Sequence, residues 1–219
     1  MSAKREEILD AALEIADERG LAGVSMRAVA QAVGVTPMAL YPHVRDKAGL
    51  LDGMLGRMLG RLYEEAPELA DHNADWRRRL AAFAHTARHL STGHPWATAL
   101  LFARPAVTPD AVRTVDFVYC ALLDAGVPHD EVPRLERLVS TFVLGWIASE
   151  AGGRFGPDRF DPRGHRGDLP DGPLPGHTAI AHVLRRPTDW NAEFATDLAD
   201  LEQLVLAAAR RGRRPPRTE

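Results

Sequence analysis

Apolar residues recur along this chain at three- and four-residue intervals, and no stretch sustains a two-residue alternation, so the pattern predicts helices throughout. Ile8, Ala12 and Ile15, flanked by Leu9, Leu13 and Ala16, form the stripe of a first helix from about Ala3 to Arg19, with Gly20 as its stop. Ser25 caps a short second helix running to Val33, and Gly34 with Val35 forms a turn. Thr36 caps a third helix with Pro37 at its first position, where the missing amide costs nothing. Asp46 caps a fourth, which runs through Leu50, Leu51, Met54, Leu55, Met58, Leu59 and Leu62 to about Glu65. Further helices are expected at about 75–90, 96–103, 109–125 and 130–151, then a short one near 179–185 and a long one at 189–211. Between them, residues 152–176 hold seven Gly and five Pro, a loop of the kind that is usually mobile or functional. The fold expected is all-α.

Composition narrows this picture. The 219 residues are 45% hydrophobic and 26% charged, which excludes global disorder and permits a sizeable core. The lone Cys120 excludes a disulfide framework or a Cys-rich zinc module. Residues 1–20 contain Lys4, Arg5, Glu6 and Glu7 but no apolar core, so no signal peptide is expected, and no apolar run approaches the ~20 residues of a membrane span. A soluble, cytoplasmic protein is the expectation. The net charge of −3 argues against a generically basic nucleic-acid coat, but its distribution is uneven. Six acids crowd the first helix, whereas from Arg19 to Lys47 the cations Arg19, Arg27, Arg45 and Lys47 face only Asp46. Residues 210–217 are basic too, and Pro215 and Pro216 predict a disordered tail over 212–219.

The stretch from Ser25 to Tyr41 has helix-turn-helix logic: two short helices about a tight turn, with small Ala30 where they approach and Gly34 where the turn needs positive φ. Val29, Val33, Val35 and Leu40 supply the seam against the first helix. An ordinary helical hairpin is the alternative. Pro42 removes the amide that would bond the Met38 carbonyl, so the third helix should end or kink after barely two turns.

On these residues the chain resembles the TetR family of bacterial repressors. The resemblance covers roughly residues 5–60: the Ile8-Leu9-Asp10-Ala11-Ala12-Leu13 helix, Gly20, Val24-Ser25-Met26-Arg27, Ala30, Gly34-Val35, Leu40-Tyr41, Val44-Arg45-Asp46-Lys47 and Leu50-Leu51. The Tyr41-Pro42-His43-Val44 run and Lys47 are similar to the tetracycline-repressor branch. Beyond residue 75 it rests on helix count, His94-Pro95-Trp96 and Arg104-Pro105. It implies a DNA-binding domain over 1–65, including the linking fourth helix, and a ligand-binding and dimerisation domain over 66–211. It also implies that the third helix enters the major groove, with Pro37, Met38 and Ala39 at base edges beside Arg27 from the second helix. Arg27 alone among them can make a bidentate contact to guanine. Ser25, Thr36, Tyr41, His43 and Lys47 fit phosphate contacts, though a solvated surface position is the alternative for Arg27 and His43.

Tight operator binding needs two half-sites, hence a homodimer. The last helix offers Trp190, Phe194, Leu198, Leu201 and Val205, and the helix from Asp130 is apolar nearly all round, including Phe142 and Trp146. These seven residues are the expected dimer seam, deep monomer core being the alternative. A small, largely apolar effector is the family's usual trigger. Phe83, Ala87, Trp96, Leu100, Phe117 and Trp146, with Tyr63 and Arg104 as polar ends, are the expected cavity lining, plain core being the alternative for each. Matching Arg104-Pro105 to the Arg-Pro pair of tetracycline repressors puts Leu100 where their metal-chelating His lies, which argues against a metal-chelated tetracycline. No metal or cofactor is expected: His85 and His89 are spaced to chelate, but two His without an adjacent acid are too few, and they read as surface residues.

Three functions compete on sequence alone. The first is a ligand-responsive dimeric repressor, cytoplasmic and associated with the bacterial nucleoid. The second is a DNA-binding dimer whose C-terminal half serves only dimerisation or protein docking. The third is a helical enzyme using His94 or His85 as acid and base, which no nucleophile motif, phosphate loop or paired carboxylates support. The first is the reading adopted.

Overall fold

The computed structural model describes residues 3–71, 73–104, 108–155 and 174–212. Its helices are α1 (Ala3–Gly23), α2 (Met26–Ala32), α3 (Tyr41–Val44), α4 (Lys47–Glu65), α5 (Trp76–Gly93), α6 (Pro95–Ala103), α7 (Pro109–Asp124), α8 (Val132–Ala151), α9 (Pro175–Leu184) and α10 (Trp190–Gly212), with 3-10 turns at Pro37–Leu40 and Pro67–Leu69. No strand occurs among the described residues, so the architecture is all-α. Most of the 152–176 loop, Pro105 and the basic tail beyond Gly212 lie outside the described residues.

Local chemistry accounts for most of the boundaries. Gly20 takes φ +69°, ψ 175° and breaks the helical path of α1 where its stop is expected. The Ser25 hydroxyl accepts from the Ala28 amide, Asp46 from Gly49 and Thr108 from Ala111, each satisfying an orphan donor at a helix start. Gly34 sits at φ +73°, the conformation the turn requires. The short helix α9 starts at Pro175, four residues before the expected Ala179, and none of its residues is buried.

The helix α4 occupies the centre of the molecule, packing on α1 on one side and on α5, α6 and α7 on the other. Its glycines allow the close approach. A Cβ on Gly53 would stand 2.6 Å from Leu9 Cδ2 of α1, and one on Gly56 would stand 2.9 Å from Thr108 Oγ1. Arg57 fixes the α1 side by donating to Asp10 at 3.0 Å. Below α4, the helices α5, α7 and α8 pack on one another.

The residues of the expected dimer seam make their contacts within their own protomer. Phe194, Leu198, Leu201 and Val205 are buried within their own protomer. Phe194 stacks on Phe142 at 6.2 Å, meets Trp146 at 5.0 Å and takes the His85 ring edge-on at 5.2 Å. Leu198 and Leu201 face Leu80, Ala84, Val139 and Val143 of α5 and α8. Trp190 stacks on Phe155 at 4.4 Å. Arg88 of α5 clamps this cluster: it pairs with Glu150 of α8 through two hydrogen bonds, at 2.8 and 2.6 Å, and lies over the Phe194 ring. A stripe spaced 4-4-3-4 shows that a helix has an apolar face but not which neighbour covers it. In α10 that neighbour is the chain's own α5–α8 groove. His85 is exposed, as expected of a surface residue, with its ring edge-on to Phe194; partial desolvation there together with nearby Arg88 pushes its pKa down.

Candidate nucleic-acid interface and adjoining cavity

The reading segment departs from a regular helix in the way Pro42 dictates. Residues 37–40 wind as a 3-10 turn, and the chain restarts as the single turn α3, with Pro42 in its first two positions, where a missing amide is harmless. The Thr36 side chain makes no capping bond, contrary to expectation; the backbone closes the turn instead, Ala39 donating to the Thr36 carbonyl at 3.0 Å. Leu40 and Val44 are buried and anchor the segment, leaving Thr36, Pro37, Met38, Ala39 and Tyr41 exposed. Met38 is 74% exposed, unusual for so large an apolar side chain.

Cations flank this apolar tip. Arg27 on α2 and Lys47 at the first position of α4 are exposed, and neither has a hydrogen bond or ion pair among the described residues. The Ser25 hydroxyl accepts in its cap, which leaves its own proton free to donate, while His43 is half-buried. One feature here has no sequence signal. Arg45 holds φ +55°, ψ −55°, and the Asp46 amide donates to the Val44 carbonyl at 2.6 Å, which makes a γ-turn of the rare, strained kind. This turn fixes the reading segment to the start of α4.

A cavity of about 210 Å³ lies beneath α4, between α5, α6, α7 and α8. Of the expected lining, Phe83, Ala87 and Leu100 are on its wall. The other five are engaged elsewhere. Tyr63 donates to the Arg113 carbonyl at 2.6 Å, and Trp96 Nε1 donates to Asp17 at 2.6 Å. Arg104 pairs with Asp52 of α4, holding that carboxyl below the usual carboxylate range. Phe117 packs behind Phe83 at 6.4 Å, and Trp146 belongs to the aromatic cluster under α10. The wall contributed by α4 (Leu55, Met58, Leu59 and Leu62) is what the sequence reading missed. Gly53 and Leu55 stand about 200° apart on the helix, so one side of α4 meets α1 while the other closes the cavity.

A polar clasp ties the same helices together. Asp17 of α1 accepts from both His94 Nδ1 and Trp96 Nε1, each at 2.6 Å, while Arg61 of α4 lies 3.3 Å from His94 Nε2. Since a guanidinium can only donate, Nε2 accepts and the ring proton sits on Nδ1. Both His94 nitrogens are thereby engaged in holding α1, α4 and the start of α6. No group of three or more metal-ligating side chains occurs among the described residues.

Residues 8–54 match the bacterial regulatory proteins of the tetR family, and residues 67–165 match the tetracyclin repressor-like C-terminal domain. The chain belongs to the TetR family. An HTH-type transcriptional regulator of Saccharopolyspora erythraea is 33% identical over 147 residues, 67% of this chain and 61% of that one. The HTH-type transcriptional repressor DrrR1 of Streptomyces coeruleorubidus is 33% identical over 145 residues, 66% and 53% of the two chains. The chain thus aligns with less than two thirds of either relative. Among solved structures, ActR from Streptomyces coelicolor in complex with actinorhodin shares the fold at TM-score 0.77 and 21% identity, over 95% of this chain and 99% of that one. TetR-family proteins are DNA-binding transcriptional regulators and not enzymes, and the helix-turn-helix at residues 25–44 lies within the stretch matched to that family.

Proposed function

We propose that this TetR-family protein is a ligand-responsive repressor that binds a palindromic operator as a homodimer and is released by a small, largely apolar molecule. The observation that carries the reading is the double duty of α4. Its first residue is Lys47, joined to the reading segment by the γ-turn, and its later turns wall the cavity. In this reading each protomer places Pro37, Met38 and Ala39 in a major groove, apolar atoms toward thymine methyls, with Arg27 toward guanine and Ser25, Thr36, Tyr41, His43 and Lys47 toward phosphates. The second subunit covers what α8 and α10 leave exposed, a face with Leu138, Leu204 and the small residues Gly145, Ala195 and Ala199. Residues 1–65 form the DNA-binding unit and 66–211 the effector and dimer unit, acting on the nucleoid in the bacterial cytoplasm. That ActR is seen with actinorhodin supports an effector role for the corresponding interior.

The assignment predicts two separable losses. Arg27→Ala costs about 1–3 kcal/mol and relaxes preference at one base pair per half-site. Lys47→Ala weakens binding across all sequences and lowers the salt slope by about one. Gel shifts at several salt concentrations check both, and unchanged binding by both variants overturns the groove assignment.

Release requires the effector to favour a state in which α4 carries the two reading segments differently, with a coupling of about 1–3 kcal/mol. The Asp17–His94–Arg61 clasp and the Asp52–Arg104 pair transmit that shift, because they join α1 and α4 to the start and end of α6. Asp17→Asn loosens the clasp and weakens the effector's action on operator binding while effector affinity itself persists. Full release in this variant refutes the clasp as transmitter.

A further inference from the structure

The cavity wall carries one ionisable side chain. Glu136 of α8 faces a lining that is otherwise aliphatic, aromatic or hydroxylic. Its Oε1 accepts from Ser140 Oγ at 2.6 Å, one turn along the same helix. No Lys, Arg or His pairs with it among the described residues. The other polar groups on the wall are neutral: Thr114 donates its hydroxyl to the Asp110 carbonyl and can only accept, and Ser91 of α5 has no hydrogen-bond partner among the described residues. Glu136 is half-buried at the cavity wall, with one oxygen oriented by Ser140, and a carboxylate that has no cationic partner gains most from a ligand that brings one.

Resting on the effector reading of this cavity, we infer that the effector is a compact apolar molecule bearing a basic amine, whose ammonium group pairs with Glu136. An anionic effector meets like charge and finds no cation on the wall. A neutral alcohol satisfies the carboxylate with an ordinary hydrogen bond, whereas an ammonium makes a charge-assisted one of roughly twice the strength. The volume, about 210 Å³, falls below the ~300–1,000 Å³ usual for drug-sized ligands, which sets the scale at one or two fused rings. The Ser140 hydroxyl is a positioning group: it fixes the carboxylate and leaves the cation to the ligand.

Three probes with one skeleton and different heads test this: 1-naphthylmethylamine, 1-naphthylmethanol and 1-naphthoate, titrated calorimetrically into the full-length protein. The amine is expected to bind about tenfold more tightly than the alcohol, and the carboxylate weakest of all. Glu136→Gln, which keeps shape and the Ser140 bond, should remove the amine's advantage while alcohol affinity stays; the retained alcohol affinity reports that the variant is folded. Equal binding of all three, or an amine advantage that survives Glu136→Gln, overturns the amine assignment and leaves the cavity a ligand site. No binding of any of the three overturns both the assignment and the effector reading.

Discussion

Phe194→Ala is expected to lower the free energy of unfolding by about 3–5 kcal/mol, the range for a large aromatic removed from a core. The ring is fully buried and joins three helices: it touches Phe142 and Trp146 of α8, His85 and Arg88 of α5, and belongs to α10. Its removal leaves Arg88 without the face it lies on and opens a void that the rigid cluster cannot close. Urea denaturation measures the effect. Leu204→Ala, on the same helix but 51% exposed, should stay within about 0.5 kcal/mol when protomers are dilute. The comparison separates two roles for α10: were Phe194 a seam residue between subunits, its loss would vanish on dilution and match that of Leu204.

Gly49→Ala is expected to weaken operator binding by about 1–3 kcal/mol, the cost of forcing a methyl into an occupied space. An added Cβ would lie 2.3 Å from the Val44 carbonyl oxygen, the acceptor of the γ-turn at Arg45. Backbone cannot swing aside as a flexible side chain can. The strain therefore falls on the joint that sets the reading segment against Lys47. Global stability changes little, because alanine also recovers about 1 kcal/mol of helix propensity. Gly60→Ala is the control, since its nearest neighbour would be 4.0 Å away and the same propensity gain applies without a clash. Fluorescence anisotropy on one duplex resolves the two, and equal affinities for both variants would show that the joint does not align the interface.

The helix-turn-helix half was largely legible in the sequence because its constraints are local. Ser25, Gly34, Ala30 and Asp46 each answer a backbone requirement within a few residues, and the structure shows the caps at Ser25 and Asp46 and the positive φ at Gly34. Pro42 announced the break, but not that residues before it tighten into a 3-10 turn, nor the γ-turn at Arg45. The C-terminal half was legible as helices and far less as faces. The four α4 residues on the cavity wall are spaced like the residues that face α1, and nothing in a periodic pattern distinguishes two apolar sides of one helix. Trp96 and Arg104 looked like cavity groups because they flank an apolar run. Each turned out to serve a long-range polar bond, to Asp17 and Asp52, whose partner is 79 or 52 residues away.

In the proposed function a short apolar tip flanked by Arg27 and Lys47 reads duplex DNA in two symmetric copies. Repeated selection of random duplexes by the purified protein, followed by mass measurement of the complex, tests it most directly. The selected duplexes are expected to carry an inverted repeat with half-sites about one helical turn or a multiple of it apart. Two protomers per duplex and affinity that falls steeply with added salt are expected with it. Recovery of no preferred sequence, or of a complex with a single protomer on an asymmetric site, would contradict it.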